Sequence, residues 1–576
     1  MFRENKYNDN QITIVSLVFL LFAIVIMVKL FYLQVLNHDY YSTLSLSTHE
    51  IQQKLYPVRG QILLEDSRSG DEYPAAVMKE YHVIYAVPKE ILKENVEEMT
   101  EKISAILNFN EEEKENLRLK LSKEDDPYEP IVKKQEPVIV DQIKSLGYEG
   151  IYFLGESYRY YPEGDLGSNL LGFYGLDEDV GWSGKYGLEG YWEKELAGKG
   201  GFLSGEKTAK GGWIALAGRD ILEPENGVDL LLTIDRTLQY KACELLRKGF
   251  EEYEAKSASL VMMNPKTGAI LVMCSLPDFD PNNYSKVDDI AVYNNNNIFT
   301  PYEPGSVFKP VTMSIALDLD LVKPNSSFTD PCERKIDDFT IHNAKNKCYG
   351  TQTMTGVLEN SINTGMIWVE EKIGPKRFLN YLEKFGFGKK TGIALNSEVA
   401  GDISSLEKKA DIYGAVASFG QGITVTPLQL ATAYSSLANL GQMPKPYIIK
   451  EIRYPDGRVE KTEEQIIDNT ISSRASKLIT GMLVSVIENG QGINAELDGY
   501  YIAGKTGTAQ IAGPGGYTEE TNHTFAGFAP ADDPEIVLIV KYEAPQRNWS
   551  STTAAPTFRD VMKFALDYYG IPNTNK

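Results

Sequence analysis

The stretch Pro304-Gly305-Ser306-Val307-Phe308-Lys309-Pro310 leaves the chain few local choices. Pro304-Gly305 blocks helix upstream of Ser306, and Pro310 is tolerated only near a helix start, so a helix should open close to Ser306. Ser306 and Lys309 are three apart and share a helix face, so hydroxyl and amine can meet. The run Val311-Thr312-Met313-Ser314-Ile315-Ala316-Leu317 would bury that helix in a core. A helix start also offers free backbone N–H groups and the positive end of a dipole. A serine placed there beside a lysine is a nucleophile arrangement. In isolation Ser306 can also be read as a helix N-cap.

Two later segments change that balance. Ser361-Ile362-Asn363 follows as an S-x-N, and Lys505-Thr506-Gly507-Thr508 as a K-T-G with a trailing threonine. Alone, Ser361 and Asn363 read as turn residues and Lys505 as a surface lysine. The order S-x-x-K, S-x-N, K-T-G is the signature of penicillin-binding proteins and class A β-lactamases. The chain resembles the class B penicillin-binding proteins, membrane-anchored D,D-transpeptidases of peptidoglycan synthesis. Further similar elements are Pro57-Val58-Arg59-Gly60-Gln61-Ile62, Tyr158-Arg159-Tyr160-Tyr161-Pro162, Leu171-Gly172-Phe173-Tyr174-Gly175, Gly187-Leu188-Glu189 and Leu196-Ala197-Gly198-Lys199-Gly200-Gly201. These suit strands and turns, and their expected role is structural.

The resemblance implies a peptidoglycan stem peptide ending in D-Ala-D-Ala as substrate, and β-lactams as inhibitors. Ser306 is then the nucleophile, Lys309 its base and Ser361 a proton relay. Asn363, Lys505, Thr506, Gly507 and Thr508 bind substrate, with the backbone N–H groups of Ser306 and Thr508 around the oxyanion. To act as a base near neutral pH, Lys309 must lose roughly three units from its ordinary pKa. Burial and the Lys505 ammonium both push that way. The implied fold is a transmembrane helix, an α+β pedestal and an α/β transpeptidase domain with a central antiparallel sheet flanked by helices.

The remaining sequence fits this layout. A length of 576 residues implies more than one domain. Residues 12–28 are apolar and uncharged, long enough to span a bilayer with some tilt. No A-x-A-like site follows, which favours an anchor over a cleaved signal peptide. The expected divisions are a cytoplasmic tail at 1–11, an anchor at 12–36, a pedestal at 37–226 and a transpeptidase domain at 227–576. The N-terminus inside and the bulk outside the cell membrane is an orientation implied mainly by the resemblance. So is a partner of the SEDS glycosyltransferase family. Residues 89–146, rich in Glu and Lys with periodic Leu and Ile, read as surface helices. The segments 258–263 and 269–274 around Asn264-Pro265-Lys266-Thr267-Gly268 read as a β-hairpin at the centre of a sheet.

Several functions are disfavoured. A net charge of −22 argues against nucleic-acid binding. Five histidines, with no H-E-x-x-H or C-x-x-C, leave little for a metal site, and no metal or cofactor is expected. Gly499-Tyr500-Tyr501-Ile502-Ala503-Gly504-Lys505-Thr506 matches a P-loop, but its interior favours strand and no helix start follows. The E-D-x-x-F-x-x-H-x-G element of peptidoglycan glycosyltransferases is missing, so only cross-linking is expected. Cys332 and Cys348 can form a disulfide if the domain is extracytoplasmic, whereas Cys243 and Cys274 in apolar patterns read as buried thiols. Two other classes stay open: a carboxypeptidase or β-lactamase-type hydrolase, and a non-catalytic penicillin-binding sensor or scaffold.

Overall fold

The computed structural model describes residues 8–31, 50–123, 125–177, 181–206, 219–513 and 515–574. Most of the expected tail (residues 1–7), the end of the expected anchor (32–36) and the expected start of the pedestal (37–49) lie outside the described residues. Asn8–Phe31 form a helix of 24 residues. At 1.5 Å per residue it is about 36 Å long. Leu17, Phe19, Leu20, Leu21 and Phe22 on it are exposed. Counting only the described side chains, no helix is long and apolar enough to cross a membrane.

The chain forms two compact units, Met1–Val58 with Gly198–Asn226 and Arg59–Ala197 with Gly227–Lys576. The first contains an antiparallel sheet in which Gly201–Glu206 lies between Glu50–Leu55 and Arg219–Leu222.

In the second unit, Ile62–Glu65 pairs parallel with Asp229–Asp235 and antiparallel with the long strand Glu72–Ala86. One sheet therefore includes strands from both ends of the 59–235 segment. The expected surface helices are present as Val96–Leu107, Glu111–Leu121 and Pro137–Lys144. Asn110 and Glu113 close the second of them with a reciprocal capping box. Between these helices runs the strand Glu129–Gln135, which pairs with Glu72–Ala86. Its alternation is masked by lysines and a proline. Ile84, Met99, Ile103, Leu117 and Ile143 make a small separate core here.

The C-terminal part of the second unit opens with α1, Arg236–Glu252, whose first turn is capped by the Asp235 carboxylate accepting from Leu238 N. Strands β1 (Ser257–Met263) and β2 (Ile270–Leu276) form the expected hairpin, its turn held by Asn264 Oδ1 accepting from the N–H groups of Lys266 and Thr267. Helices α2 (Lys309–Asp318), α3 (Asn363–Ile373), α4 (Asp411–Ala417), α5 (Pro427–Ala438) and α6 (Ser473–Asn489) follow. Strands β3 (Ala503–Gly513), β4 (Gly516–Ala529) and β5 (Ile536–Glu543) and helix α7 (Ala554–Tyr569) close the chain.

The five strands make one antiparallel sheet in the order β2-β1-β5-β4-β3. The hairpin is thus at one edge of the sheet, not at its centre. The late strand β5 takes the free side of β1. On β2, Met273 exchanges both backbone hydrogen bonds with the Gln239 side chain of α1, which covers part of that edge. Leu260 and Met262 pack with α1 and α7 on one face. Val261 and Met263 belong to the larger core shared with α2, α5 and α6 on the other. Period-two alternation splits the two cores.

Both cysteine pairs are disulfides. Cys332–Cys348 is the permitted one. Cys243–Cys274 corrects the reading as thiols: α1 packs on β2 and brings their Cα atoms to 5.6 Å, within bridging range.

Candidate active site

A turn and a helix present the segment around Ser306. Tyr302 exchanges backbone hydrogen bonds with Val425, and Gly305 N donates to Gly420 O at 2.9 Å. Gly305 has φ of 58°, and a Cβ there would lie 2.9 Å from the Cβ of Ala509. Both facts demand glycine at this position. Gly305–Phe308 then form a 3₁₀ turn that runs directly into α2, with Pro310 in the first turn. The helix therefore opens where Pro304-Gly305 and Pro310 require.

Ser306 is half-buried and Lys309 fully buried. Their link is indirect. Ser306 Oγ lies 3.0 Å from Ser361 Oγ, which lies 3.0 Å from Lys309 Nζ. Lys309 Nζ also donates to Ser361 O at 2.7 Å and to Asn363 Oδ1 at 2.8 Å. Ser361 adopts φ of 54°, a left-handed conformation that a non-glycine residue rarely takes. It sits at the bend between the short helix Met354–Glu359 and α3, and the bend turns its hydroxyl toward Ser306. Asn363 opens α3, and its Nδ2 donates to His342 O at 3.0 Å. Burial and the nearby Lys505 ammonium push the Lys309 pKa well below that of an ordinary lysine.

Across the cleft, β3 carries Lys505, Thr506, Gly507 and Thr508 at the edge of the sheet opposite β2. A Cβ on Gly507 would lie 2.9 Å from Val307 Cγ1 and 3.0 Å from Pro304 O. The absence of a side chain is what lets β3 approach the turn at Ser306. Lys505 is fully buried, donates to Thr506 O at 3.0 Å, and has a pKa lowered by burial to about 7. Thr508 Oγ1 accepts from Ser550 N at 3.1 Å and bonds Ser550 Oγ at 3.2 Å. All of Ser306, Lys309, Ser361, Asn363, Lys505, Thr506, Gly507 and Thr508 are thus brought together. The second half of the P-loop match, residues 503–506, lies in strand β3, which continues to Gly513 where a P-loop would open a helix.

Ser306, Ser361, Asn363, Thr506 and Thr508 line a cleft of about 500 Å³. Its other walls hold residues that sequence reasoning missed, among them Lys345, Lys347, Tyr349, Gln421, Trp549 and Ser550. None stands in a motif; only tertiary packing brings them here. His523 was also missed. It is buried on β4 opposite Thr508, and its ring nitrogens bond Thr521 and Thr553 hydroxyls at 3.0 and 2.9 Å. Burial lowers its pKa to about 4, so the ring is neutral at physiological pH.

Residues 258–563 match the family described as penicillin binding protein transpeptidase domain, and residues 54–232 the penicillin-binding protein dimerisation domain. Among curated proteins, the chain is 34% identical to stage V sporulation protein D of Bacillus subtilis, over 97% of this chain and 86% of that one. It is 32% identical to the probable peptidoglycan D,D-transpeptidase PbpC of Pseudomonas aeruginosa, over 99% and 97%. Among solved structures it is similar to penicillin-binding protein 3 of Mycobacterium tuberculosis in complex with aztreonam. That match has 26% identity and a TM-score of 0.68, and covers 90% of this chain and 98% of the other. Penicillin-binding protein 2X of Streptococcus thermophilus shares the fold with a TM-score of 0.76 at 22% identity, over 90% and 80%.

Proposed function

The chain belongs to the class B penicillin-binding proteins, the peptidoglycan D,D-transpeptidases, and from that premise we propose that Ser306 is the serine acylated by the stem peptide and by β-lactams. The observation that carries this reading is the hydrogen-bonded chain Ser306 Oγ, Ser361 Oγ, Lys309 Nζ, whose two serines line one cleft together with Thr506 and Thr508 of β3.

Neutral Lys309 has two hydrogens and a lone pair. Ser361 O and Asn363 Oδ1 take the hydrogens, which leaves the lone pair for the Ser361 hydroxyl. Ser306 then loses its proton to Ser361 as Ser361 passes its own to Lys309. Ser306 Oγ attacks the carbonyl of the penultimate D-Ala. The developing oxyanion is held by the N–H groups of Ser306 and Thr508, and losing one such donor typically costs about 10² to 10³ in rate. The proton returns through Ser361 to the departing D-Ala amine. Lys505, Thr506 and Thr508 hold the terminal carboxylate, combining one cation with two hydroxyls. An amine from a second stem peptide resolves the acyl-enzyme and forms the cross-link.

The helix Asn8–Phe31, with its exposed apolar side chains, supports a membrane anchor; the orientation, N-terminus in the cytoplasm and catalytic domain outside, rests on the family resemblance. With it go the divisions 1–11, 12–36, 37–226 and 227–576, and a SEDS-family glycosyltransferase as membrane partner. A role in elongation or division completes the reading.

The test is intact mass of the full chain in detergent after brief exposure to benzylpenicillin, followed over hours. A stable adduct is expected on the wild type and none on Ser306→Ala. An adduct released within seconds favours a hydrolase, and folded wild type with no adduct refutes Ser306 as the nucleophile.

A further inference from the structure

The cleft wall has an unusual charge. The chain carries 80 acidic residues against 58 Lys and Arg. Yet the cleft lining includes Lys345 and Lys347 and no Asp or Glu. Neither lysine has an ion-pair partner among the described residues. Instead, Lys345 Nζ stands 4.5 Å from the centre of the Trp549 ring, and Lys347 Nζ 4.6 Å from that of Tyr349. An aromatic face holds an ammonium without neutralising it, so both keep N–H donors for an anion.

The segment that presents them is braced against the catalytic motif. Asn363 Nδ2 donates to His342 O at 3.0 Å, and Thr364 N donates to Asn343 Oδ1 at 3.1 Å. Asn343 Nδ2 donates in turn to Asp330 Oδ2 and Lys347 O, at 2.9 and 3.1 Å. Tyr349 N donates to the same Asp330 oxygen at 2.9 Å. Between these ties, Lys345 and Asn346 both adopt positive φ, 58° and 54°. Two consecutive non-glycine residues in that region are unfavourable and persist only where surrounding contacts impose them. The backbone is held in a costly shape, and the result is two cations on the wall of the reaction cleft.

We propose that Lys345 and Lys347 form an anion subsite that takes a carboxylate of the stem peptide outside the reacting D-Ala-D-Ala unit. This rests on the transpeptidase reading above and specifies its substrate: the enzyme prefers stem peptides with a free carboxylate upstream of the scissile bond over the same peptides with that group amidated. The carboxylate belongs to the donor or to the acceptor peptide, and the two steps of the reaction distinguish them.

The experiment uses the full chain in detergent and matched synthetic peptides, one with a free upstream carboxylate and one with it amidated. The donor arm measures acyl-enzyme formation from each peptide. The acceptor arm measures release of a preformed acyl-enzyme by each peptide's amine. The readout is the ratio of rates for the free over the amidated form, in which any general loss of activity cancels. Wild type is expected to favour the free carboxylate by about threefold to tenfold in one arm, and added salt should reduce the ratio. Lys345→Gln with Lys347→Gln should bring it near one, and Lys345→Arg with Lys347→Arg should retain it. A wild-type ratio of one in both arms overturns the subsite, as does a ratio the Gln pair leaves intact. Wild type that benzylpenicillin does not acylate overturns the transpeptidase reading instead, so the two failures are separate.

Discussion

Lys309 and Lys505 are both fully buried, and each is asked for the opposite charge. In the proposed mechanism Lys309 is neutral, so as to receive the Ser306 proton through Ser361, and Lys505 is cationic, so as to hold the substrate carboxylate. The first follows from burial reinforced by the Lys505 charge, which favours the neutral amine. The second is the weaker hold, since burial lowers Lys505 to about 7. The acylation rate constant with benzylpenicillin should therefore trace a bell against pH. It falls on the acid side as Lys309 gains a proton, and this limb is displaced far below the ordinary lysine range. It falls on the alkaline side as Lys505 loses its charge, starting near pH 7. The limbs are macroscopic and belong to the pair. Lys309→Gln should lower the rate by about 10² to 10⁴ at all pH values and remove the acid limb. A rate in that variant that still falls on the acid side would assign the limb to another group.

At the scale of elements, α3 joins two sites. Its first residue is Asn363, and Glu370 lies two turns further on, against Gly414 of α4. Glu370 is buried and its Oε1 has no hydrogen-bond partner among the described residues. Burial first, then the Glu371 and Asp411 carboxylates, raise it to about 7. A carboxyl raised in the folded state keeps its proton where the unfolded chain has released it. Stability therefore declines as pH rises from the ordinary value of 4.5 through about 7, and the full cost is present above that. The shift corresponds to about 3 kcal/mol. Glu370→Gln should raise the urea midpoint at alkaline pH and leave it little changed below 4.5; equal effects at both ends would sink this account. The elements that are legible in the sequence are those with local causes. Pro304-Gly305 and Pro310 mark the start of α2, and the apolar run after them marks its burial. The apolar run at 258–263, ended by the Pro/Gly-containing turn 264–268, marks β1. What is not legible depends on partners far along the chain. Cys243 meets Cys274 only because α1 packs on β2, and the hairpin lies at an edge only because β5 claims the other side of β1. The left-handed backbone of Ser361 and the place of Ser550 behind Thr508 are likewise set by tertiary packing. The three motifs expose the site because each holds its chemistry within four adjacent residues. The walls are assembled from elsewhere and escape that reading.

At the scale of the molecule, one buried ion network ties distant parts of the larger unit. Glu189 has no exposed surface and accepts from Arg59, from Arg159 Nε at 2.6 Å and from Tyr161 Oη at 3.2 Å. Arg159 also donates to Gly60 O at 2.7 Å, and Arg59 lies 4.6 Å from the centre of the Tyr174 ring. Arg59 opens the segment that leads into Ile62–Glu65, the strand paired with Asp229–Asp235 at the entrance to the catalytic part. These residues come from the segments that resemble the family outside its catalytic motifs, and the structure gives them a shared reason. Burial alone would raise the Glu189 carboxyl, but Arg159 and Arg59 outweigh it and hold it below its ordinary value. A depressed carboxyl stabilises the folded state above the unfolded pKa and loses that contribution as pH falls. Glu189→Ala leaves Arg159 buried without its carboxylate, while Arg59 keeps Glu193 at 2.7 Å; breaking such a buried pair typically costs about 3 to 5 kcal/mol. The variant should show that deficit in urea unfolding at neutral pH. The deficit should shrink in acid, because the wild type then loses the same carboxylate. A deficit that is small at neutral pH, or that stays constant into acid, would mean that packing around Tyr161 and Tyr174 holds these segments together and the charges do not.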